Sequence, residues 1–100
     1  MKKIMLVCNA GMSTGIMAKK IEEAAEGHVD VLACGEADFE NHVEGVDMIL
    51  VGPQIRYLVP NIQQIVSCPV EFIAPQAYGM MDGAAVLRQI IERIGDDDDE

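Results

Sequence analysis

Two runs, Ile4-Met5-Leu6-Val7 and Met48-Ile49-Leu50-Val51, are apolar at every position, with no polar residue to mark a solvent face. A strand that is apolar on both sides must be covered on both sides, which in a short chain means a parallel sheet with helices on each face. The remaining sequence meets that demand. After the first run, Met17, Ile21, Ala24 and Ala25 recur at helical spacing, with Lys19, Lys20, Glu22, Glu23 and Glu26 mostly opposite them, and Gly27 is a stop signal. Strand patterns follow at residues 29–33, 47–51 and 70–74, with a short helix expected at 37–43. Ile55, Leu58, Val59, Ile62, Ile65 and Val66 return to helical spacing. Pro60 leaves two outcomes there, a helix that begins near Val59 or one that bends. Residues 75–81 are expected as a loop, and Asp82 as the N-cap of a last helix with Ala84, Leu87, Ile91 and Ile94 as its buried stripe.

Strands that alternate with helices pair in parallel through right-handed crossovers. The fold class predicted is α/β, a single domain over residues 1–95 with a four-stranded parallel sheet in the order 2-1-3-4 and helices on both faces. Residues 96–100 are expected as an acidic flexible tail. This order sets the first and third strands side by side. Their carboxyl ends then form the topological switch point, where open α/β sheets bind ligands. Cys8 reaches that crevice, as do Gly52-Pro53-Gln54 and, farther off, residues 74–79.

Composition narrows the function classes. The formal net charge is −10, half of it from Asp96, Asp97, Asp98, Asp99 and Glu100, a balance that disfavours nucleic acid. Apolar runs stay strand-sized, against the ~20 residues of a membrane span. The run after Lys2 and Lys3 is too short for a signal peptide. A cytoplasmic location is expected. Cys8, Cys34 and Cys68 lack metal-ligand or CxxC spacing, so free thiols are expected, with neither metal nor cofactor.

Of the three thiols, Cys8 has the context for chemistry. It ends a buried strand and is followed by Asn9-Ala10-Gly11-Met12-Ser13-Thr14-Gly15, small and donor-rich residues that open onto a helix start. Unpaired N–H groups at a helix N-terminus stabilise anions, and the same field favours thiolate over thiol. Gly11 and Gly15 permit close approach, and the Ser13 and Thr14 hydroxyls can donate to phosphate oxygens or cap the helix. The loop thus suits a sulfur nucleophile held against phosphate, with Asn9, Ala10, Gly11, Met12, Ser13 and Thr14 as the phosphate-binding residues. A buried, inert Cys8 is the plain alternative.

Low-molecular-weight tyrosine phosphatases place a nucleophilic Cys similarly, but after five intervening residues they carry Arg, where this chain has Thr14. Without that guanidinium fork the transition state of hydrolysis lacks its bidentate clamp. A weak phosphatase or arsenate reductase is therefore one rival reading, and a thiol redox or regulatory module another.

Three segments, Cys8 to Thr14, Leu50-Val51-Gly52-Pro53-Gln54-Ile55-Arg56-Tyr57 and Ala77-Tyr78-Gly79-Met80-Met81-Asp82-Gly83, together resemble the IIB component of the lactose/cellobiose class of the bacterial sugar phosphotransferase system. The likeness spans residues 2–94. It implies that Cys8 takes a phosphoryl group from a phosphohistidine on a IIA protein. Cys8 then passes it to a sugar bound by the membrane IIC permease, usually at the 6-hydroxyl. Gly15 departs from the Ser that many relatives carry. A transient dock to the permease and a monomer in isolation are expected. Gln54, Tyr57 and Tyr78 are possible rim or partner contacts, with both tyrosines read as packing residues at the rim. Arg56 is expected in a surface ion pair, and His28 and His42 to face solvent. Met12, Met17, Met80 and Met81 are candidates for an apolar docking rim, with core filling an equal reading for Met17 and Met80.

Overall fold

The computed structural model describes residues 2–8 and 12–95, with the side chains of residues 12–14 excepted. Asn9, Ala10, Gly11 and the acidic segment 96–100 lie outside the described residues. Four strands, β1 (Lys2–Cys8), β2 (Val29–Gly35), β3 (Met48–Val51) and β4 (Val70–Phe72), pair in parallel in the order β2-β1-β3-β4. The two wholly apolar runs are the two central strands, as their lack of a polar face requires.

Strand parity divides the core in two. Ile4 and Leu6 of β1 with Met48 and Leu50 of β3 join Met17, Ala18, Ile21, Ile73, Tyr78, Val86 and Ile90 on one face. Met5 and Val7 with Ile49 and Val51 join Phe39, Val46, Ile55, Ile62 and Val70 on the other. The first face is covered by α1 (Met12–Ala24) and α4 (Gly83–Ile94). The second is covered by α2 (Val59–Ile65) and by 3₁₀ turns at Phe39–His42 and Pro53–Leu58. Each fully buried aliphatic side chain contributes about 1.5–3 kcal/mol.

Several local expectations are refined. The Pro60 question resolves as a 3₁₀ turn followed by a new helix, with the proline in the first turn of α2, where its missing N–H costs nothing. The fourth strand stops at Phe72, short of the expected 74. The short helix expected at 37–43 is one 3₁₀ turn. The presumed loop at 75–81 contains a helix, α3 (Pro75–Gly79), with Pro75 pre-setting its first turn. In α4 the buried stripe is Gly83, Val86 and Ile90, whereas Ala84 is exposed and Leu87, Ile91 and Ile94 are half-buried. The reason is steric: a Cβ at Gly83 would stand 2.5 Å from the Lys20 carbonyl carbon and oxygen, so the glycine marks where α4 meets α1. Asp82 does cap α4, accepting from the Ala85 N–H at 3.1 Å.

Both sheet edges are answered by side chains. On β2 the Val31 N–H donates to Glu22 at 2.9 Å. On β4 the Val70 N–H donates to the Gln63 side-chain oxygen, and the Gln63 amide donates to the Cys68 carbonyl at 2.9 Å. The Gln89 amide donates to the Phe72 carbonyl, also at 2.9 Å.

Candidate functional site

Cys8 is the last residue of β1, and its parity with Ile4 and Leu6 aims the side chain at the α1/α4 face. Gly52, directly after β3, donates its N–H to the Val7 carbonyl at 2.9 Å, which carries the β1–β3 pairing to the switch point. The sulfur lies against that glycine. A Cβ there would stand 3.3 Å from Cys8 Sγ and 3.2 Å from Gln54 Oε1, so a larger residue at 52 would press on both. From the third side comes Tyr78, whose hydroxyl is 3.7 Å from Cys8 Sγ.

α1 begins at Met12, four positions after Cys8 in the sequence, and no acidic residue stands in its first turn. The positive end of its backbone dipole is therefore not offset by a carboxylate of its own. Of the six residues expected to bind phosphate, Asn9, Ala10 and Gly11 lie outside the described residues, as do the side chains of Met12, Ser13 and Thr14. The backbone of the last three opens the helix.

Cys8 is only 2 % exposed. The sulfur is covered, with Gly52 and Tyr78 among its neighbours.

The other expected residues separate. Gln54 is exposed but turns its amide oxygen toward Gly52, and Tyr57 is exposed on the 3₁₀ turn. Tyr78 is not a rim residue: it is 8 % exposed and belongs to the core cluster around Leu6 and Val86. A loop reading of 75–81 could not find this, because only the helical turn of α3 swings Tyr78 inward. Arg56 lies over the Phe72 ring, 5.9 Å from its centroid, a cation–π contact in place of the ion pair expected. Met17 is core, Met80 is exposed, and Met81 is half-buried. His28 and His42 are both exposed.

The remaining thiols are free. Burial pushes the Cys34 thiol up, aided by the Asp38 charge and opposed by Lys3. Burial also raises Cys68, its own backbone hydrogen bond opposing and Asp47 assisting. Both are held toward the unreactive thiol. Cys34 and Cys68 pack against the Met5/Val7 face, on the far side of the sheet from Cys8. Cysteines that point to opposite faces cannot be bridged without moving backbone, so a dithiol switch between Cys8 and either of the other two has no geometry here. Asp82, the carboxylate that follows α3, is engaged as a helix cap.

Fold and site together define an open α/β domain with one thiol set at the topological switch point of its sheet. Residues 3–89 match the family described as the lactose/cellobiose-specific IIB subunit of the phosphotransferase system (PTS). The chain belongs to that family. It is 33 % identical over 97 residues to the oligo-beta-mannoside-specific EIIB component of Bacillus subtilis, covering 91 % of this chain and 94 % of that one. It is 35 % identical to the cellobiose-specific EIIB component of Lactococcus lactis, covering 86 % and 90 %. In fold it is similar to the lactose-specific IIB domain of Streptococcus pneumoniae, with TM-score 0.79, 16 % identity and coverage of 92 % and 96 %. The strand order 2-1-3-4 is thus that of IIB domains. As a PTS IIB component the chain acts as a sugar phosphotransferase subunit, a kind that works with IIA and IIC subunits. Among the described residues, no helix is long and apolar enough to cross a membrane.

Proposed function

We propose that Cys8 is the phosphoryl acceptor, charged from a phosphohistidine on a IIA protein and discharged to a sugar held by a IIC permease. The observation that carries this reading is the position of Cys8, at the C-terminal end of a central strand and four positions before the first residue of α1. In the first step the thiolate attacks phosphorus in line, the S–P bond forms, and the P–N bond breaks with the electron pair staying on the imidazole. In the second, a sugar hydroxyl oxygen attacks phosphorus, its proton is released, and the S–P bond returns its pair to sulfur. Backbone amides from Asn9 to Thr14 receive the phosphoryl oxygens, so catalysis is mainly positioning and electrostatics. Water is kept from the acceptor by its burial, and docking of the donor must open a path to a sulfur that is covered at rest. The relatives' sugars differ, oligo-beta-mannoside in one name and cellobiose in another, and the sugar is assigned to the permease pocket.

The test is transfer of labelled phosphate from a phosphorylated IIA protein of this system. Wild type, Cys34→Ala and Cys68→Ala are expected to take up a thiol-linked label, and Cys8→Ser to take up none. Undiminished thiol-linked labelling in Cys8→Ser refutes the assignment.

A further inference from the structure

The mechanism above leaves one buried polar group unused, the hydroxyl of Tyr78. It sits 3.7 Å from Cys8 Sγ, on a side chain otherwise packed in the core, in a five-residue helix with Pro75 in its first turn. A phenolic hydroxyl brought into an apolar face needs a reason, since burying it without a partner costs free energy. We infer that the Tyr78 hydroxyl donates a hydrogen bond to the Cys8 thiolate and so serves the sulfur both as attacking and as leaving group. The inference rests on Cys8 as the phosphoryl acceptor.

Burial by itself disfavours the charged sulfur, because desolvation penalises the thiolate. A hydrogen bond to an ionised acceptor is about twice as strong as one between neutral groups. Tyr78 supplies such a bond from within the fold. When sulfur becomes bonded to phosphorus its charge is gone and the hydrogen bond weakens. When the phosphoryl group leaves for the sugar, the charge returns to sulfur and the bond strengthens again. The tyrosine proton stays on its oxygen throughout. The asymmetry has a direction: the hydrogen bond tempers sulfur as a nucleophile, since a better-stabilised thiolate attacks less readily, while it eases departure of the same thiolate. Tyr78 therefore favours discharge of phosphocysteine over its accumulation.

The experiment compares wild type with Tyr78→Phe, which keeps the ring and its packing. Thiolate ultraviolet absorbance is followed against pH, each protein referenced to its own Cys8→Ser counterpart so that Cys34 and Cys68 cancel. This readout needs neither reagent access nor a phosphodonor. Removal of a hydrogen bond to a charged group is expected to raise the Cys8 midpoint by about one to two pH units. Discharge of the prephosphorylated protein to sugar should slow about tenfold or more, with the melting temperature nearly kept. An unchanged Cys8 midpoint in a Tyr78→Phe protein that melts normally overturns the inference, as does a raised midpoint with undiminished discharge. If Tyr78→Phe melts early, the same protein examined well below its transition gives the same midpoint comparison. A midpoint raised by Tyr78→Phe, when the wild type itself takes up no phosphate from phosphorylated IIA, would instead count against Cys8 as acceptor, leaving the hydrogen bond standing.

Discussion

Replacing Gly83 by alanine sets two effects of similar size against each other. Alanine is favoured over glycine in a helix by up to about 1 kcal/mol, and Gly83 begins α4. By propensity the variant should be stabilised. The structure predicts the reverse. The new Cβ would stand 2.5 Å from the carbonyl carbon and oxygen of Lys20 and 2.8 Å from its Cβ. Ordinary van der Waals contact begins near 3.4 Å, so α1 and α4 must separate by roughly 1 Å or tilt. The obstacle is helical backbone, which has no rotamer to yield. Overpacking costs about 1–3 kcal/mol, and the upper end applies, leaving a net loss of about 2 kcal/mol. For a domain of this length that corresponds to a fall in Tm of roughly 8–16 °C. Gly15→Ala is the control. Gly15 is exposed in α1, with nothing within 4 Å of the added carbon. It should gain about 0.5–1 kcal/mol and melt a few degrees higher. Differential scanning calorimetry of both variants decides the matter. A Gly83→Ala protein that melts at or above wild type would refute the steric reading of the α1–α4 contact.

Two further outcomes follow from local contacts. Asp82→Ala removes the α4 cap and should cost about 1 kcal/mol in urea denaturation, whereas Asp82→Asn, which keeps the acceptor, should cost clearly less. The Asp38 carboxyl is held below its ordinary value of 3.8 first by the Asn41 amide at 3.0 Å and then by His42 at 3.1 Å. A lowered folded-state value stabilises the fold above the ordinary carboxylate range and is lost as pH falls through it. An NMR titration should therefore place Asp38 below a free aspartate, and Asn41→Ala should move it back up, whereas no change on that substitution would discount the hydrogen bond as the main cause.

The sheet was legible in the sequence because β1 and β3 leave little choice: four apolar residues in a row have no solvent face, and the spacing between the runs admits only crossovers. From that the position of Cys8 at the switch point followed directly. The cap at Asp82 was legible for the same kind of reason, a single residue type with one local use. The α4 stripe was not. Apolar residues occur at 84, 85, 86, 87, 90, 91 and 94, most of the way round the helix, so periodicity does not choose a centre. The contact at Gly83 with Lys20 chooses it, and that contact is tertiary. Tyr78 was misplaced for a related reason. A five-residue helix has no period to detect, and a tyrosine flanked by Ala77 and Gly79 reads as surface until the turn that buries it is known. Pro75 was the available signal, since proline favours the first turn of a helix. Arg56 meets a ring, not a carboxylate, because Phe72 lies on the edge strand, partly exposed and within reach of a residue distant in sequence.

Glu22 on one margin of the sheet, and Gln63 and Gln89 on the other, have a consequence for how this subunit keeps company. A neighbour that adds a strand at either margin must first displace these side chains from the Val31 and Val70 amides and the Phe72 carbonyl. On the proposed relay, in which the domain would load at one protein and unload at another, Glu22, Gln63 and Gln89 would act as a safeguard against lingering.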